Sequence, residues 1–196
     1  MTDEDRSLAS LLNSTNKTVF STMDFSKLWK YDNYSSLIQR ISYLKKTGKI
    51  IQLKKGFYQI EGRKIDELEL ANKLRTPSYI SFETVLLREG IIFQWDNRIT
   101  LAGKESISIN VLNLKIIFRQ LKDEILLNKN GVIKENNYYI ATKERAITDT
   151  LYINPKFTFD NVRSLDFNKI KNLTKMYSKK SMLTAFEKLK NHAESY

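Results

Sequence analysis

The chain contains no cysteine, and that single absence removes disulfides, thiolate metal sites and cysteine nucleophiles together. Histidine is almost as scarce. His192, near the C-terminus, is the only one, so a histidine metal centre or a Ser-His-Asp triad would have to be built around a tail residue. The six glycines are scattered and form no phosphate-cradling loop. No apolar run approaches the roughly 18 residues that span a bilayer. The first twenty residues begin acidic and lack the basic-then-apolar order of a secretory signal. These absences predict a cytoplasmic protein with no membrane partner, no metal, no cofactor and no catalytic residue.

Positive charge, by contrast, is abundant. Lysine and arginine number 33 against 22 acids, a formal charge of +11 with a pI near 9.6. A surplus of that size favours a polyanionic partner, nucleic acid first. A length of 196 residues with 41% hydrophobic content is enough for one large or two small domains, each with a core.

The surplus is concentrated beside a recognisable pattern. Leu37, Ile38, Ile41 and Leu44 recur at i, i+1, i+4 and i+7, which predicts a helix with one apolar face. Asp32 or Asn33 can cap its start, and Lys45, Lys46 and Gly48 suit its C-terminal end. Two β-prone runs follow, Ile50 to Leu53 and Phe57 to Ile60, joined through Lys54, Lys55 and Gly56 as a hairpin with lysines at its tip. Before them, Ser21 or Thr22 can cap a helix holding Phe25, Leu28 and Trp29. Leu8, Leu11 and Leu12 suggest a further helix, and Thr18 to Phe20 a short β element. The order predicts a winged helix-turn-helix over residues 1–62.

Burying the apolar stripe would leave Ser35, Ser36, Gln39, Arg40 and Tyr43 outside. Gln39 and Arg40 suit base edges, while Ser35, Ser36 and Tyr43 suit phosphate or sugar. Between Lys27 and Tyr58 there are eight cations and one acid, a local excess of seven. The expected contacts to double-stranded DNA are therefore Thr22 and Lys27 from the first helix; Ser35, Ser36, Gln39, Arg40, Tyr43, Lys45 and Lys46 from the second; and Lys54 and Lys55 from the wing.

Residues 63–196 read differently. Ile65, Leu68, Ala71 and Leu74 keep helical spacing until Pro77, which carries the chain into the second domain as a helix. Ser81 and Gly90 bracket a short helix as its N-cap and C′ residue. Ile99 and Leu101, then Ile107, Ile109 and Val111, alternate at period two, and Ile116, Ile117 and Phe118 form a denser apolar run, which together predict several short, antiparallel strands. Thr142 can cap a helix through Tyr152, and two helices follow near 167–177 and 179–192. The fold class is α+β: a winged helix-turn-helix, then a mixed α/β domain with a small antiparallel sheet and C-terminal helices.

Three segments carry a resemblance: GKIIQLKKGFYQI, LANKLRTPSYISFETVLLREGII and YYIATKERAITDTLY. In that order they resemble the AbiEi antitoxins of type IV toxin-antitoxin systems, which act in bacterial abortive infection of phage. The resemblance implies a winged helix-turn-helix that represses its own operon at an inverted-repeat operator. It also implies a C-terminal domain that counters a nucleotidyltransferase-like toxin, with or without touching it. The matching positions are Pro77, Ser78, Tyr79, Ser81, Glu83 and Gly90, then Ala141, Thr142, Glu144, Arg145, Ala146 and Asp149. Glu89 stands where the family often has histidine, and Lys143 where it often has proline, as in a divergent branch. On helical spacing alone, Glu144, Arg145 and Asp149 read as helix-surface charges.

A second basic face is expected in the C-terminal part, from Arg163, Lys169, Lys171, Lys175, Lys179 and Lys180. From 161 to 196 there are eight cations against three acids. It is either a solvated helix face or a nucleic-acid or antitoxicity surface. A nuclease is the enzymatic rival, but Ile107 to Leu112 and Leu114 to Phe118 contain no acid to hold Mg²⁺, and Asp66, Glu67 and Glu69 diverge around a helix. The other readings are a solitary winged-helix regulator and a toxin-binding protein with no DNA role.

Overall fold

The computed structural model describes residues 15–30, 33–94 and 97–194. The expected helix at Leu8, Leu11 and Leu12 lies outside them. The chain divides after Leu74 into two compact units.

The N-terminal unit begins with strand β1 (Phe20–Ser21), helix α1 (Thr22–Trp29) and helix α2 (Tyr34–Lys46). A hairpin of β2 (Ile50–Lys54) and β3 (Phe57–Ile60) follows, then helix α3 (Glu67–Leu74). The strand order is β1-β3-β2, all antiparallel. Ser21, not Thr22, caps α1: its hydroxyl accepts from the Asp24 amide at 3.0 Å while Asp24 accepts from the Ser21 amide at 2.8 Å. Asn33 caps α2 through the Ser35 amide at 2.8 Å. At the far end Gly48, at φ +69°, lets Lys49 N–H reach the Leu44 carbonyl at 2.9 Å.

The core of this unit is Phe20, Phe25, Leu37, Ile41, Leu44, Ile50, Tyr58 and Ile60, with Trp29 packed against it. Ile38, expected on the apolar face, lies on the exposed side, as does Leu28 of α1. The stripe of three inward residues on α2 is narrower than the apolar spacing suggested, because a sheet of three short strands covers only that width.

The division falls twelve residues later than the glycine-containing segment at 61–64 suggested, because α3 is fastened to the N-terminal unit. Glu69, wholly buried, accepts from the Thr18 amide and hydroxyl at 2.9 and 2.8 Å. Lys73 pairs with Asp24 at 3.2 Å and donates to the Val19 carbonyl. A polar, glycine-containing stretch marked a turn, not a boundary.

The C-terminal unit is built on a six-stranded sheet in the order β6-β7-β5-β4-β9-β8. Its strands are β4 (Ser78–Ile80), β5 (Arg98–Gly103), β6 (Ile107–Val111), β7 (Leu114–Gln120), β8 (Val132–Glu135) and β9 (Tyr138–Ala141). Helix α4 (Glu83–Arg88) follows β4, the short α5 (Asp123–Leu126) follows β7, and α6 (Lys143–Ile153), α7 (Phe167–Thr174) and α8 (Lys180–Glu194) close the chain. The sheet is mixed: β5 pairs parallel with β7, and β4 with β9. The antiparallel expectation fails there because β6 hairpins onto the outside of β7, leaving β7 to pair back with β5.

Ser81 does not cap α4. Phe82 holds the cap position at φ +57° with no side-chain hydrogen bond. Gly90 does end the helix, at φ +65°, as expected. Thr142 caps α6 by accepting from the Arg145 amide at 3.3 Å. Eight consecutive residues of α6, Glu144 to Leu151, are buried, so it is a central helix with no solvated face. Among the described residues no helix is long and apolar enough to cross a membrane.

Candidate nucleic-acid interface

Helix α2 turns its stripe of Leu37, Ile41 and Leu44 into the core and leaves the opposite face to solvent. Ser35, Gln39, Ser42 and Lys46 follow each other down that face at i, i+4, i+7 and i+11, all exposed. Exposed Tyr43 and half-buried Ser36 flank them. Ser42 escaped the sequence reading, although its spacing of seven from Ser35 put it on the same line.

The hairpin stands beside this helix. The Thr22 amide donates to the Gly56 carbonyl at 3.0 Å, which pins the turn to the start of α1, and Gly56 adopts φ +83° there. Lys54 and Lys55 are left exposed at the tip. Pairing runs Ile50 to Ile60, Ile51 to Gln59 and Gln52 to Tyr58, with a bulge before Lys54 meets Phe57. Lys45 donates from α2 to the Gln52 side chain, so helix and wing are joined by side chains as well as by the core.

Three of the expected contacts take other places. Thr22 is half-buried and serves the wing turn through its amide. Lys45, though exposed, is held by Gln52. Arg40 is half-buried, its guanidinium carbon 4.8 Å from the centre of the Trp29 ring, and that ring stacks in turn on Phe25 at 4.7 Å. Lys27, Ser35, Gln39, Tyr43, Lys46, Lys54 and Lys55 remain exposed as expected.

Asp24, half-buried, is the acid that Lys17, Ser21 and Lys73 converge on in this unit. Burial pushes its carboxyl up, but hydrogen bonds from Lys17 and Ser21 and the charge of Lys73 hold it well below the usual carboxylate range.

In the C-terminal unit, four positions that carry the family resemblance meet inside the fold. Asp149, wholly buried, accepts from Ser81 at 2.8 Å, from Tyr79 at 3.0 Å and from Tyr177 at 2.6 Å. Arg145 Nε completes the set at 3.1 Å. The other guanidinium N–H groups reach Tyr79 Oη and the carbonyls of Ile125, Asn130 and Asn128. All five donors of the arginine are thereby used. Burial pushes Asp149 up, and Arg145 and the three hydroxyls pull it back only in part. Burial and then the Asp149 charge push Tyr79 and Tyr177 well above the usual phenol range. The helix-surface reading of Glu144, Arg145 and Asp149 is therefore overturned: all three are buried. Tyr177, twenty-eight residues from Asp149, carried no local signal.

The C-terminal basic residues are mostly where expected. Arg163, Lys169, Lys171, Lys175 and Lys180 are exposed. Lys179 is not part of a solvated face: it donates to the Tyr152 carbonyl at 2.7 Å and lies 5.1 Å over the Tyr152 ring. Among the described residues no three histidine, aspartate or glutamate side chains are grouped to hold a metal ion.

No family model matches the sequence, and no curated protein matches it. Among solved structures the chain is similar to the RV2827C protein from Mycobacterium tuberculosis, with a TM-score of 0.58 at 11% identity over 96% of this chain and 76% of that one. The likeness establishes a shared α+β fold.

Proposed function

We propose that the chain is a DNA-binding repressor and the antitoxin of a type IV toxin-antitoxin pair, working by binding and not by catalysis, in the cytoplasm. The observation that carries the DNA-binding half is the α2 face of Ser35, Gln39, Ser42, Tyr43 and Lys46 displayed beside a lysine-tipped wing on one core. A helix of that kind fits the major groove, and the wing lysines then lie against phosphate. The antitoxin half is supported by the resemblance to AbiEi antitoxins across both units. Its positions Tyr79, Ser81, Arg145 and Asp149 form one buried network, the sort of shared core that keeps a sequence pattern recognisable.

The partner would be an inverted-repeat operator upstream of the gene, and the functional partner a nucleotidyltransferase-like toxin. The exposed C-terminal lysines are the surface through which the toxin's effect would be opposed. A mobility-shift titration with the upstream DNA tests the first half, and rescue of growth from the co-expressed neighbouring toxin tests the second. Salt-sensitive, sequence-preferring binding together with rescue supports the reading. Binding without rescue would leave a solitary regulator. Rescue with co-purification but no DNA binding would leave a toxin-binding protein.

A further inference from the structure

We infer that α2 reads adenine, through Gln39, and that Arg40 is a positioning residue and not a base contact. The inference rests on the DNA-binding reading of the N-terminal unit and adds which base that unit selects.

Helix position separates the two side chains. Gln39 lies on the line of Ser35, Ser42 and Lys46, opposite the buried stripe, and is exposed. Arg40 is turned a further hundred degrees round, towards α1, where its guanidinium covers the Trp29 ring. Trp29 is sandwiched between that guanidinium and Phe25. Reaching a base would uncover the ring and undo the stack. Guanine is read most often by a bidentate arginine or lysine at O6 and N7. With Arg40 held at the flank, α2 presents no arginine, and its two lysines lie in the last turn, Lys45 held by Gln52 and Lys46 placed for backbone phosphate. The N-terminal half of a recognition helix makes the base contacts. In that half the polar groups on the line opposite the core are the Ser35 hydroxyl and the Gln39 carboxamide, with Tyr34 and Ile38 exposed to one side. A carboxamide has one N–H₂ donor and one C=O acceptor side by side, which matches N7 and the N6 amino group of adenine.

The test is selection of duplexes from a randomised library by the full-length protein, followed by binding titrations on the selected sequence. Gln39→Ala, Gln39→Arg, Arg40→Lys and Arg40→Ala are compared with the parent. The parent is expected to select an adenine whose replacement by guanine weakens binding about tenfold or more. Gln39→Ala should lose that discrimination while keeping salt-dependent binding, and Gln39→Arg should shift the preference towards guanine. Arg40→Lys should keep the adenine, and Arg40→Ala should lower the melting temperature while keeping it too. If Arg40→Lys or Arg40→Ala erased the base preference and Gln39→Ala left it intact, the inference would be overturned and Arg40 would be the reader. Equal binding of all duplexes would overturn the adenine readout and leave DNA binding standing. Binding to no duplex at low salt would overturn both.

Discussion

Arg145 and Asp149 stand one helical turn apart on α6, joined at 3.1 Å, and neither exposes any of its side chain. A buried ion pair holds together only when every remaining donor and acceptor is also met, since each ion has given up its water. Here the arginine spends its other four N–H groups on Tyr79 and three carbonyls, and the carboxylate takes three hydroxyls. Strand β4, helix α5 and the loops carrying Ser81, Asn128, Asn130 and Tyr177 are thus fastened to one point of α6. Removing one ion leaves the other uncompensated. Arg145→Ala or Asp149→Ala should cost about 3–5 kcal/mol in urea unfolding. Replacing both by alanine should cost less than the sum of the single changes, and a strictly additive cycle would refute the coupling.

Gly131 closes over the same arginine. Its backbone has φ +73°, and a Cβ placed there would sit 2.9 Å from the Arg145 Cβ, an atom fixed to the helix backbone. Gly131→Ala therefore combines an unfavourable conformation with a clash that no rotamer relieves. A loss of about 1–3 kcal/mol is expected. The same change at Gly62, also at positive φ but with open space around its Cβ, should cost less. Matched thermal melts of the two variants check the contrast.

Acid should act on the N-terminal unit through Asp24. Its carboxyl binds a proton less readily in the folded unit than in the unfolded chain, so protonation favours unfolding. The stabilisation is complete above the ordinary aspartate pKa of about 3.9 and disappears as the pH falls from there through the lower folded value. Asp24→Asn should unfold more easily at neutral pH, and its stability should fall less steeply than the parent's below about pH 4. Parallel acid limbs for the two proteins would show that Asp24 does not carry the effect.

The wing lysines should act on affinity for all sequences alike. Lys54 and Lys55 are exposed at a turn fixed by Thr22 and Gly56, so truncating them disturbs no packing. If each neutralises one phosphate, Lys54→Ala and Lys55→Ala should each flatten the dependence of log K on log salt by about 0.9, with base preference unchanged. Titrations at several salt concentrations decide it, and an unaltered slope would remove the wing from the interface.

Elements governed by local chemistry were legible in the residues themselves. The α2 stripe, the Asn33 cap, the Gly48, Gly90 and Thr142 helix ends and the lysine-tipped hairpin all follow from spacing within a dozen residues. What spacing misassigned depends on distant partners. Ser81 has the chemistry of a cap, but Asp149, sixty-eight residues on, takes its hydroxyl. Arg40 and Gln39 look alike on a one-dimensional pattern, and only the position of Trp29 separates them. The charges of α6 read as surface because periodicity marks an apolar side, and a helix buried all round has no polar side to mark.

The unit boundary shows the same effect and can be tested by cutting the chain. Residues 61–64 have the composition of a linker, yet the chain beyond them returns to the N-terminal unit. Arg63 donates to the carbonyls of Lys17 and Thr15, Glu69 holds the Thr18 amide and hydroxyl, and Lys73 answers the Asp24 charge. A fragment ending at residue 62 would lose all of these, leaving the Thr18 amide and hydroxyl without Glu69 and Asp24 without the Lys73 charge, each buried polar group left unmet costing about 1–3 kcal/mol. For a unit of this size that is most of its stability. The fragment 1–74 should therefore melt cooperatively and bind DNA, whereas 1–62 should show no cooperative transition by circular dichroism. If 1–62 melted at the same temperature as 1–74, α3 would be an appendage and the boundary would move back to the wing.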